Sequence, residues 1–357
     1  MTRKPGDLPV SAASQPAFAE EDGCCSYGLL TSSARSWGLF FWEVVRLISS
    51  ARSKNNTLSL RSLLVLLLVL LVSGCGRPAV TEAEQPFVVE DSYGRTLSLA
   101  KPPERIISLV PSHTEILFAL GLGSRVIGVT DFCDYPEEAK QKQSVGGYAN
   151  PSIEKIVSMK PDLVLAGEQH KSEVEQLEQL GINVVAYTVT SVREVPELIV
   201  KVGQATLVER AARELADEII SRIERVQSKT RDIPEEQRPL VYYEVWNDPV
   251  LSVGPGSFID DLITLAGGRN LAFDATSAYP VLSLELIVKR DPDVILYAHG
   301  QQREIEIAER PGFGVVKAVA TGRIIHFEDE NIFVRSGPRI ALALEQMAEV
   351  LHPDLFR

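Results

Sequence analysis

Residues 152–166 read SIEKIVSMKPDLVLA, and residues 283–297 read SLELIVKRDPDVILY. A serine, a glutamate, a proline and an aspartate recur at identical spacing in the two segments. They are Ser152, Glu154, Pro161 and Asp162 in the first copy, and Ser283, Glu285, Pro292 and Asp293 in the second. A second pair, SHTEILFALGLG from residue 112 and SFIDDLITLAGG from residue 257, repeats in the same order. A repeat marks a supersecondary unit used again, so the sequence predicts two related lobes. A cleft between two lobes is a common ligand site.

The first repeated unit predicts a short helix followed by a buried strand. Ser152 and Ser283 can cap a helix, and the glutamate two positions later falls in its first turn, where the dipole favours negative charge. The proline ends the helix, and the apolar runs LVLAG and VILYA then read as buried parallel strands.

The second repeated unit predicts a capped helix that ends at glycine. Ser112 and Ser257 precede apolar residues at helical spacing, with an acidic residue three positions on, as in a capping box. Gly123 and Gly268 are expected to end these helices. Further strand-like runs alternate with helical stretches, at 105–110, 125–130, 182–187, 240–245 and 323–327. The predicted fold class is α/β, with two lobes that contain mainly parallel sheets.

A long helical segment separates the two halves. From about residue 195 to 229, apolar residues recur every three or four positions, which predicts one long helix or two nearly continuous ones. The run RDIPEEQRP at 231–239 ends it. We expect an N-terminal lobe over 87–194, a bridging helix over 195–232 and a C-terminal lobe over 233–357, with the ligand cleft between the lobes.

The N-terminal part of the chain predicts export and lipid attachment. The apolar run 63–72 follows basic residues and leads into Val-Ser-Gly-Cys at Cys75, and it is too short to span a bilayer. Residues 58–75 resemble a bacterial lipoprotein signal, in which Cys75 is lipidated and anchors the protein at the periplasmic face of the cell envelope. The alternative is a core helix that ends by chance at a cysteine. Residues 76–86 would form a tether of about 20 Å reach.

Residues 1–57 do not fit such a signal, whose charged region is normally short. No methionine lies between Met1 and Met159. We therefore expect a misplaced translation start, with the natural start at a non-methionine codon near 44–47, and a non-globular segment over 1–57.

Composition limits the classes of function. The formal net charge is −12, which disfavours nucleic-acid binding. After processing at Cys75, only that residue and Cys133 remain as cysteines, so no structural disulfide is expected.

Four segments carry a resemblance to a known family: 105–138, RIISLVPSHTEILFALGLGSRVIGVTDFCDYPEE; 152–167, SIEKIVSMKPDLVLAG; 265–273, LAGGRNLAF; and 335–340, RSGPRI. They resemble the periplasmic substrate-binding proteins of ABC importers for iron siderophores, haem and cobalamin, and are most similar to the cobalamin-binding branch. The resemblance implies a monomer with two lobes bridged by one long helix. It also implies a protein that is not an enzyme and that delivers a metal-chelate ligand to a permease dimer with ATPase subunits.

The resemblance also assigns a role to the repeated glutamates. In cobalamin-type members, one surface glutamate on each lobe docks into an arginine pocket of the permease, and Glu154 and Glu285 match these positions. Charge complementarity would set the register of docking. The alternative is that both residues only complement their helix dipoles.

The ligand residues are expected on loops at the cleft: Pro111, Ser112, His113, Phe132, Tyr148, Trp246, Leu251, Tyr279, Phe333 and Arg335. By alignment with the family, Phe132, Tyr148, Leu251 and Tyr279 match positions that contact cobalamin. Broad aromatic surfaces suit a large planar ligand. Gly167 and Ile332 stand where the family would have tryptophan, and a ferric siderophore or haem remains the alternative ligand.

Several polar residues near the expected cleft have two interpretations. His113 could coordinate a metal of the ligand or only line the pocket. Cys133 could be a soft ligand or a buried free thiol. Arg335 could bind a carboxylate or phosphate of the ligand, whereas Arg339 could be structural.

Two other functional classes are disfavoured. A zinc or manganese receptor needs converging His and carboxylate ligands, and the five histidines, at 113, 170, 299, 326 and 352, are scattered. We predict no metal site and no resident cofactor. A hydrolase would need a nucleophile elbow, whereas Gly-Pro-Gly-Ser at 254–257 reads as a turn with a helix cap.

Overall fold

The computed structural model describes residues 87–300 and 304–357. The segment 1–57, the lipoprotein signal over 58–75 with Cys75, and the tether over 76–86 lie outside these ranges and stay predictions. Within the described ranges, the structure contains no helix that is both long and apolar enough to cross a membrane.

The N-terminal lobe begins with an antiparallel hairpin of β1 (Phe87–Glu90) and β2 (Thr96–Leu99). Five parallel strands follow: β3 (Ile106–Ser108), β4 (Val126–Val129), β5 (Gln143–Ser144), β6 (Leu163–Ala166) and β7 (Val184–Ala186). Their spatial order is β5-β4-β3-β6-β7. The helices of this lobe are α1 (Pro111–Ala119), α2 (Ile153–Ser158) and α3 (Lys171–Gln179).

Two helices, α4 (Val195–Ala205) and α5 (Glu209–Thr230), occupy the segment between the lobes. Leu207 separates them with φ at 59°, and the Val208 amide donates to the Gly203 carbonyl at 2.8 Å, as at a left-handed helix end. A Cβ on Gly203 would lie 2.2 Å from the Ala212 Cβ, so the helices pack in close contact there. The two helices therefore pack against each other and do not run nearly continuously, and α5 alone is the long helix, about 33 Å in length.

The C-terminal lobe contains β8 (Leu240–Asn247), β9 (Val250–Ser252), β10 (Arg269–Asn270), β11 (Val294–Tyr297) and β12 (Ile324–His326). The order β10-β8-β11-β12 is parallel, and β9 pairs antiparallel to β8. The helices of this lobe are α6 (Phe258–Leu265), α7 (Leu284–Arg290), α8 (Glu304–Ala308), α9 (Lys317–Ala320), α10 (Asn331–Val334) and α11 (Ile340–Leu351).

The internal repeat corresponds to repeated structure. In each lobe a central strand, β3 or β8, pairs in parallel with the strand that follows the repeated proline and aspartate, β6 or β11. The Asp162 carboxylate accepts from the Arg105 amide at 3.0 Å, and the Asp293 carboxylate accepts from the Leu240 amide at 2.7 Å. The repeated aspartate therefore fixes the start of the central strand in both lobes.

The helix ends of the first repeat agree as well. Ser152 accepts from the amide three residues on at 3.3 Å, and Ser283 does so at 3.2 Å. The residue before each repeated proline has a left-handed backbone, with φ of 48° at Lys160 and 50° at Asp291. The two segments therefore have the same local conformation.

The second repeat differs from the prediction at two points. Ser257 caps α6, accepting from the Asp260 amide at 3.1 Å, but α1 begins one residue earlier, at Pro111, and has no side-chain cap. The predicted Ser112 cap is therefore wrong, because proline already occupies the first position and needs no amide partner. The left-handed glycines that follow the helices are Gly121 and Gly267, rather than Gly123 and Gly268.

One apolar core extends through both lobes. Alternate strand residues such as Ile106 and Val241 join a cluster that also includes Ile219 of α5 and Leu344 of α11. The opposite faces of the two sheets form separate clusters, one in each lobe. Because separation of the lobes would expose shared apolar surface, the lobes are held together.

Candidate functional site

The loops after the parallel strands carry the predicted N-terminal ligand residues. Parallel strands place these loops at one edge of the sheet. The Phe132 loop, residues 131–136, follows β4, and its Phe132 side chain is 62% exposed. Tyr148 lies in the loop after β5, and the two loops are joined by a hydrogen bond from the Asp131 amide to the Gly146 carbonyl at 3.0 Å. The structure thus brings Phe132 and Tyr148 onto adjoining loops.

Tyr148 is held by His170, which the sequence did not single out for the site. The His170 Nε2 donates to the Tyr148 carbonyl at 2.6 Å, while its Nδ1 accepts from the Gly167 amide at 3.1 Å. The two rings meet edge to face at 5.5 Å. Burial raises the pKa of the Tyr148 hydroxyl, so this hydroxyl stays neutral and can donate a hydrogen bond.

Pro111, Ser112 and His113 form the first turn of α1, and the last two are buried. The His113 Nδ1 is buried and has no hydrogen-bond partner within residues 87–300 and 304–357. Burial, with a contribution from His170, lowers the pKa of His113 to about 3. The imidazole is therefore neutral at physiological pH.

Cys133 is a buried free thiol whose Sγ lies 3.3 Å from the Thr130 hydroxyl. Burial raises the pKa of this thiol, which disfavours the thiolate that would act as a soft ligand. In the part of the chain that the structure describes, no group of three or more His, Cys, Asp or Glu residues could hold a metal ion.

In the C-terminal lobe, the hairpin of β8 and β9 brings two predicted residues together. Trp246 pairs directly with Leu251, and Leu251 bridges to Val281 in the segment that contains Tyr279. Trp246 is 42% exposed and Tyr279 is 49% exposed. These four residues give this lobe an exposed apolar and aromatic surface.

A buried polar cluster that sequence reasoning missed lies next to Trp246. The fully buried Glu244 carboxylate accepts from Tyr242 at 2.6 Å and from Arg310 at 2.8 Å. The His299 Nε2 lies 3.1 Å from the same carboxylate, and its ring lies 5.9 Å from the Trp246 ring. The signal in the sequence was a single glutamate within the apolar strand LVYYEV, since a buried charge requires a partner.

The last two predicted ligand residues, Phe333 and Arg335, are occupied by contacts within the protein. Phe333 is fully buried, with its ring 4.3 Å from that of Phe327. Arg335 donates to three acceptors of the N-terminal lobe: Glu115 at 3.1 Å, Asp134 at 2.7 Å and the Phe132 carbonyl at 3.1 Å. Its guanidinium therefore has protein partners where a carboxylate or phosphate of a ligand was expected.

Glu115 has a role that differs from the predicted capping box. Its side chain is 2% exposed and accepts from Arg339 Nη2 at 2.7 Å and Nε at 2.9 Å. Arg339 also donates to Asp329 at 2.6 Å. Because α1 begins at Pro111, Glu115 lies beyond the capping position and its side chain reaches the C-terminal lobe instead.

Glu154 and Glu285 occupy equivalent positions in the first turns of α2 and α7. Both are exposed. Neither forms an ion pair with another described residue of the chain, so both carboxylates are available to a partner.

The sequence pattern described as periplasmic binding protein matches residues 106–330. The chain belongs to the periplasmic binding protein family. The two-lobed α/β arrangement derived from the repeat is the fold of this family's solved structures.

The matches to three similar proteins cover at least 90% of each protein's own length. An uncharacterised ABC transporter substrate-binding lipoprotein of Bacillus subtilis (strain 168) is 34% identical over 307 residues, covering 82% of this chain and 96% of that protein. A vitamin B12-binding protein of Vibrio vulnificus (strain YJ016) is 30% identical over 256 residues, covering 70% and 90%. The periplasmic haem-binding protein RhuT from Roseiflexus sp. RS-1, in apo form, is 28% identical with a TM-score of 0.64, covering 71% and 99%.

As a periplasmic binding protein of an ABC importer, the chain carries a small-molecule substrate and is not an enzyme. Proteins of this class act outside the cytoplasm and work with permease and ATPase components. The prediction of family and of transport class is confirmed.

Proposed function

We propose that this periplasmic binding protein captures cobalamin or a related corrinoid between its lobes and delivers it to the permease. The observation that carries the proposal is the exposure of three large aromatic side chains, Phe132, Trp246 and Tyr279, at the predicted cleft positions. Exposed aromatic surface is typical of a binding site, and wide rings suit a macrocycle. The vitamin B12-binding protein of Vibrio vulnificus, 30% identical, supports this choice.

The remaining predicted ligand residues divide by burial. Pro111, Ser112 and Tyr148 line the N-terminal side in this proposal, and Leu251 adds apolar area beside Trp246. The neutral His113 imidazole is buried, and a polar ligand group that reaches its Nδ1 would supply the hydrogen-bond partner that the described residues do not. Phe333 supports the site from the core.

Haem or a ferric siderophore is the alternative ligand. The specific observation in its favour is the similarity to the haem-binding protein RhuT, which at 28% identity is comparable to that with the vitamin B12-binding protein. An apolar and aromatic surface fits either macrocycle, so the ligand itself must be measured.

We also propose the delivery route. Cys75 carries a lipid anchor, residues 76–86 form a tether, and the mature protein is a monomer with lobes over 87–194 and 233–357. The segment 195–232, with its shared core, permits only small movements between the lobes. Glu154 and Glu285, equivalent and unpaired, dock on a permease dimer that works with ATPase subunits.

The delivery step is tested by charge reversal at both glutamates, Glu154→Lys with Glu285→Lys, in cells that depend on this importer for cyanocobalamin. Uptake should be abolished while the purified variant keeps its affinity for cyanocobalamin. The matched control is Glu224→Lys with Glu349→Lys, which changes the net charge equally at two exposed helical positions. Normal uptake by the docking variant would show that the two glutamates serve only their helices.

A further inference from the structure

The Phe132 loop is anchored from two directions. From its own lobe, the Asp131 amide donates to Gly146 at 3.0 Å and the Cys133 amide to Thr130 at 3.0 Å. From the opposite lobe, Arg335 donates to the Phe132 carbonyl at 3.1 Å. Between these anchors the Phe132 side chain remains largely exposed. The backbone at Phe132 is therefore held from both lobes, since its carbonyl accepts from the Asp134 amide at 3.1 Å as well as from Arg335.

The same loop has two further contacts with the C-terminal lobe. Arg335 donates to the Asp134 carboxylate at 2.7 Å, and the Arg339 guanidinium lies 3.9 Å from the centre of the Tyr135 ring. Burial alone would raise the pKa of Asp134, but the hydrogen bond and charge of Arg335 outweigh it and lower that pKa. The loop is thus held along residues 132–135 by two arginines.

Arg335 is itself fixed on the N-terminal lobe by Glu115. The Glu115 carboxylate lies between the two guanidinium groups, at 3.1 Å from Arg335 and 2.7 Å from Arg339. The segment that carries the arginines approaches α1 closely, since a Cβ on Gly337 would lie 3.3 Å from the Glu115 Oε2 and 3.6 Å from the Ser112 Cα. Arg335, whose side chain is 9% exposed, has little room to turn toward a ligand.

We propose that Arg335 is a positioning residue for ligand binding, which holds the Phe132 loop of the opposite lobe in its ligand-binding position without contacting the ligand itself. This inference rests on the proposed function, in which the Phe132 ring contacts the ligand. It replaces the expectation that the Arg335 fork binds a carboxylate or phosphate of the ligand.

The first test is a double-mutant cycle on the purified full chain, titrated with cyanocobalamin, or with haem if haem is the ligand that the unmodified protein binds. Arg335→Lys keeps the charge but replaces the planar guanidinium, which donates from two separate nitrogens, with a single compact ammonium. It should weaken binding about tenfold. Arg335 donates to the backbone carbonyl of Phe132, so Phe132→Ala leaves this hydrogen-bond acceptor in place. In the Phe132→Ala background the ring that the loop positions is absent. Arg335→Lys should therefore lower the ligand affinity by less than about twofold.

Two results would overturn the proposal. An equal loss of affinity in both backgrounds would mean that Arg335 acts on the ligand independently of Phe132. Unchanged affinity with a lowered unfolding midpoint would mean a purely structural role. The matched control is Arg222→Lys, another arginine paired with a carboxylate, Glu345, at 2.6 and 3.0 Å. It should lower stability and leave affinity unchanged.

A second readout needs no ligand and separates this inference from the proposed function. Amide hydrogen exchange in the ligand-free protein should become faster at residues 131–135 in Arg335→Lys and stay unchanged there in Arg222→Lys. If the unmodified protein binds none of cyanocobalamin, haem and ferric siderophores, the proposed function fails, yet faster exchange would still support the positioning role. Unchanged exchange at 131–135 would overturn the positioning role.

Discussion

Glu115 of the N-terminal lobe accepts two hydrogen bonds from Arg339 of the C-terminal lobe, at 2.7 and 2.9 Å, with its carboxylate almost fully buried. Burying a charged carboxylate is costly, and the two guanidinium groups beside Glu115 offset this cost by pairing with it. The pair joins α1 to the segment before α11, beside the shared apolar core. Polar and apolar contacts therefore hold the lobes together at the same place.

Glu115→Ala should lower the free energy of unfolding by about 3 kcal/mol, because it leaves two guanidinium groups without their main acceptor in a buried site. Chemical denaturation measures this loss. Glu345→Ala is the control, since its pair with Arg222 is about 30% exposed and should cost no more than about 1 kcal/mol. Equal losses in the two variants would contradict the account of the buried pair.

His113 should make stability depend on pH. The folded state holds its pKa at about 3, below the ordinary value of 6.5, so the unfolded state binds the proton first. The contribution of His113 to the free energy of unfolding is complete above pH 6.5. It falls as the pH drops toward 3, by about 1.4 kcal/mol per pH unit. His113→Gln should flatten the dependence of the unfolding free energy between pH 6 and 4.

The control for this prediction is His326→Gln, at an exposed position of β12. His326→Gln should retain the dependence of the unfolding free energy on pH that His113 produces. An unchanged slope in His113→Gln would show that the buried imidazole does not control the pH response.

Asp162 and Asp293 should have matching effects, since each carboxylate binds the backbone amide that begins a central strand. Asp162→Ala and Asp293→Ala should each lower the free energy of unfolding by about 1 kcal/mol, the net contribution of a hydrogen bond whose donor amide is exposed at Arg105 and partly buried at Leu240. Denaturation of both variants measures the effect. A loss in one lobe with none in the other would argue against functional equivalence of the repeated aspartates.

Gly203→Ala should separate α4 from α5, because its Cβ would lie 2.2 Å from that of Ala212. The expected loss of stability is about 1–3 kcal/mol, typical of overpacking. Adding Ala212→Gly removes the other methyl group, so the double variant should be more stable than the sum of the single losses predicts. Additive losses of stability would show that the contact between residues 203 and 212 does not determine how closely α4 and α5 pack.

The sequence was most informative where local chemistry determines structure. The repeated proline, aspartate and serine predicted the strands at 163–166 and 294–297 and the caps at Ser152 and Ser283, and the structure has them there. These features depend on neighbours within a few residues. The break at Leu207 was less visible, because a left-handed leucine has no compositional signature.

The site was less predictable where residues far apart in sequence meet. Glu115 and Arg339 are 224 positions apart, and Glu115 matched a capping pattern that the start of α1 at Pro111 makes unnecessary. Arg335 was recognised as a site residue, but its partners in the Phe132 loop depend on how the lobes pack. In contrast, the exposed Phe132 lies on the loop that follows the predictable strand β4. Trp246 and Leu251, which were also expected on loops, lie within strands β8 and β9, because the first strand extends past the predicted run 240–245.

The most direct test of the account is titration of the purified full chain with cyanocobalamin, haem and ferric siderophores, following both the visible spectrum and the heat of binding. The account predicts saturable one-to-one binding of cyanocobalamin that is weakened by Trp246→Ala and by Tyr279→Ala without loss of folding. A perturbed haem Soret band with no heat from cyanocobalamin would select the alternative ligand. Failure to bind any of the three chelates would contradict the proposed capture of a metal chelate between the lobes.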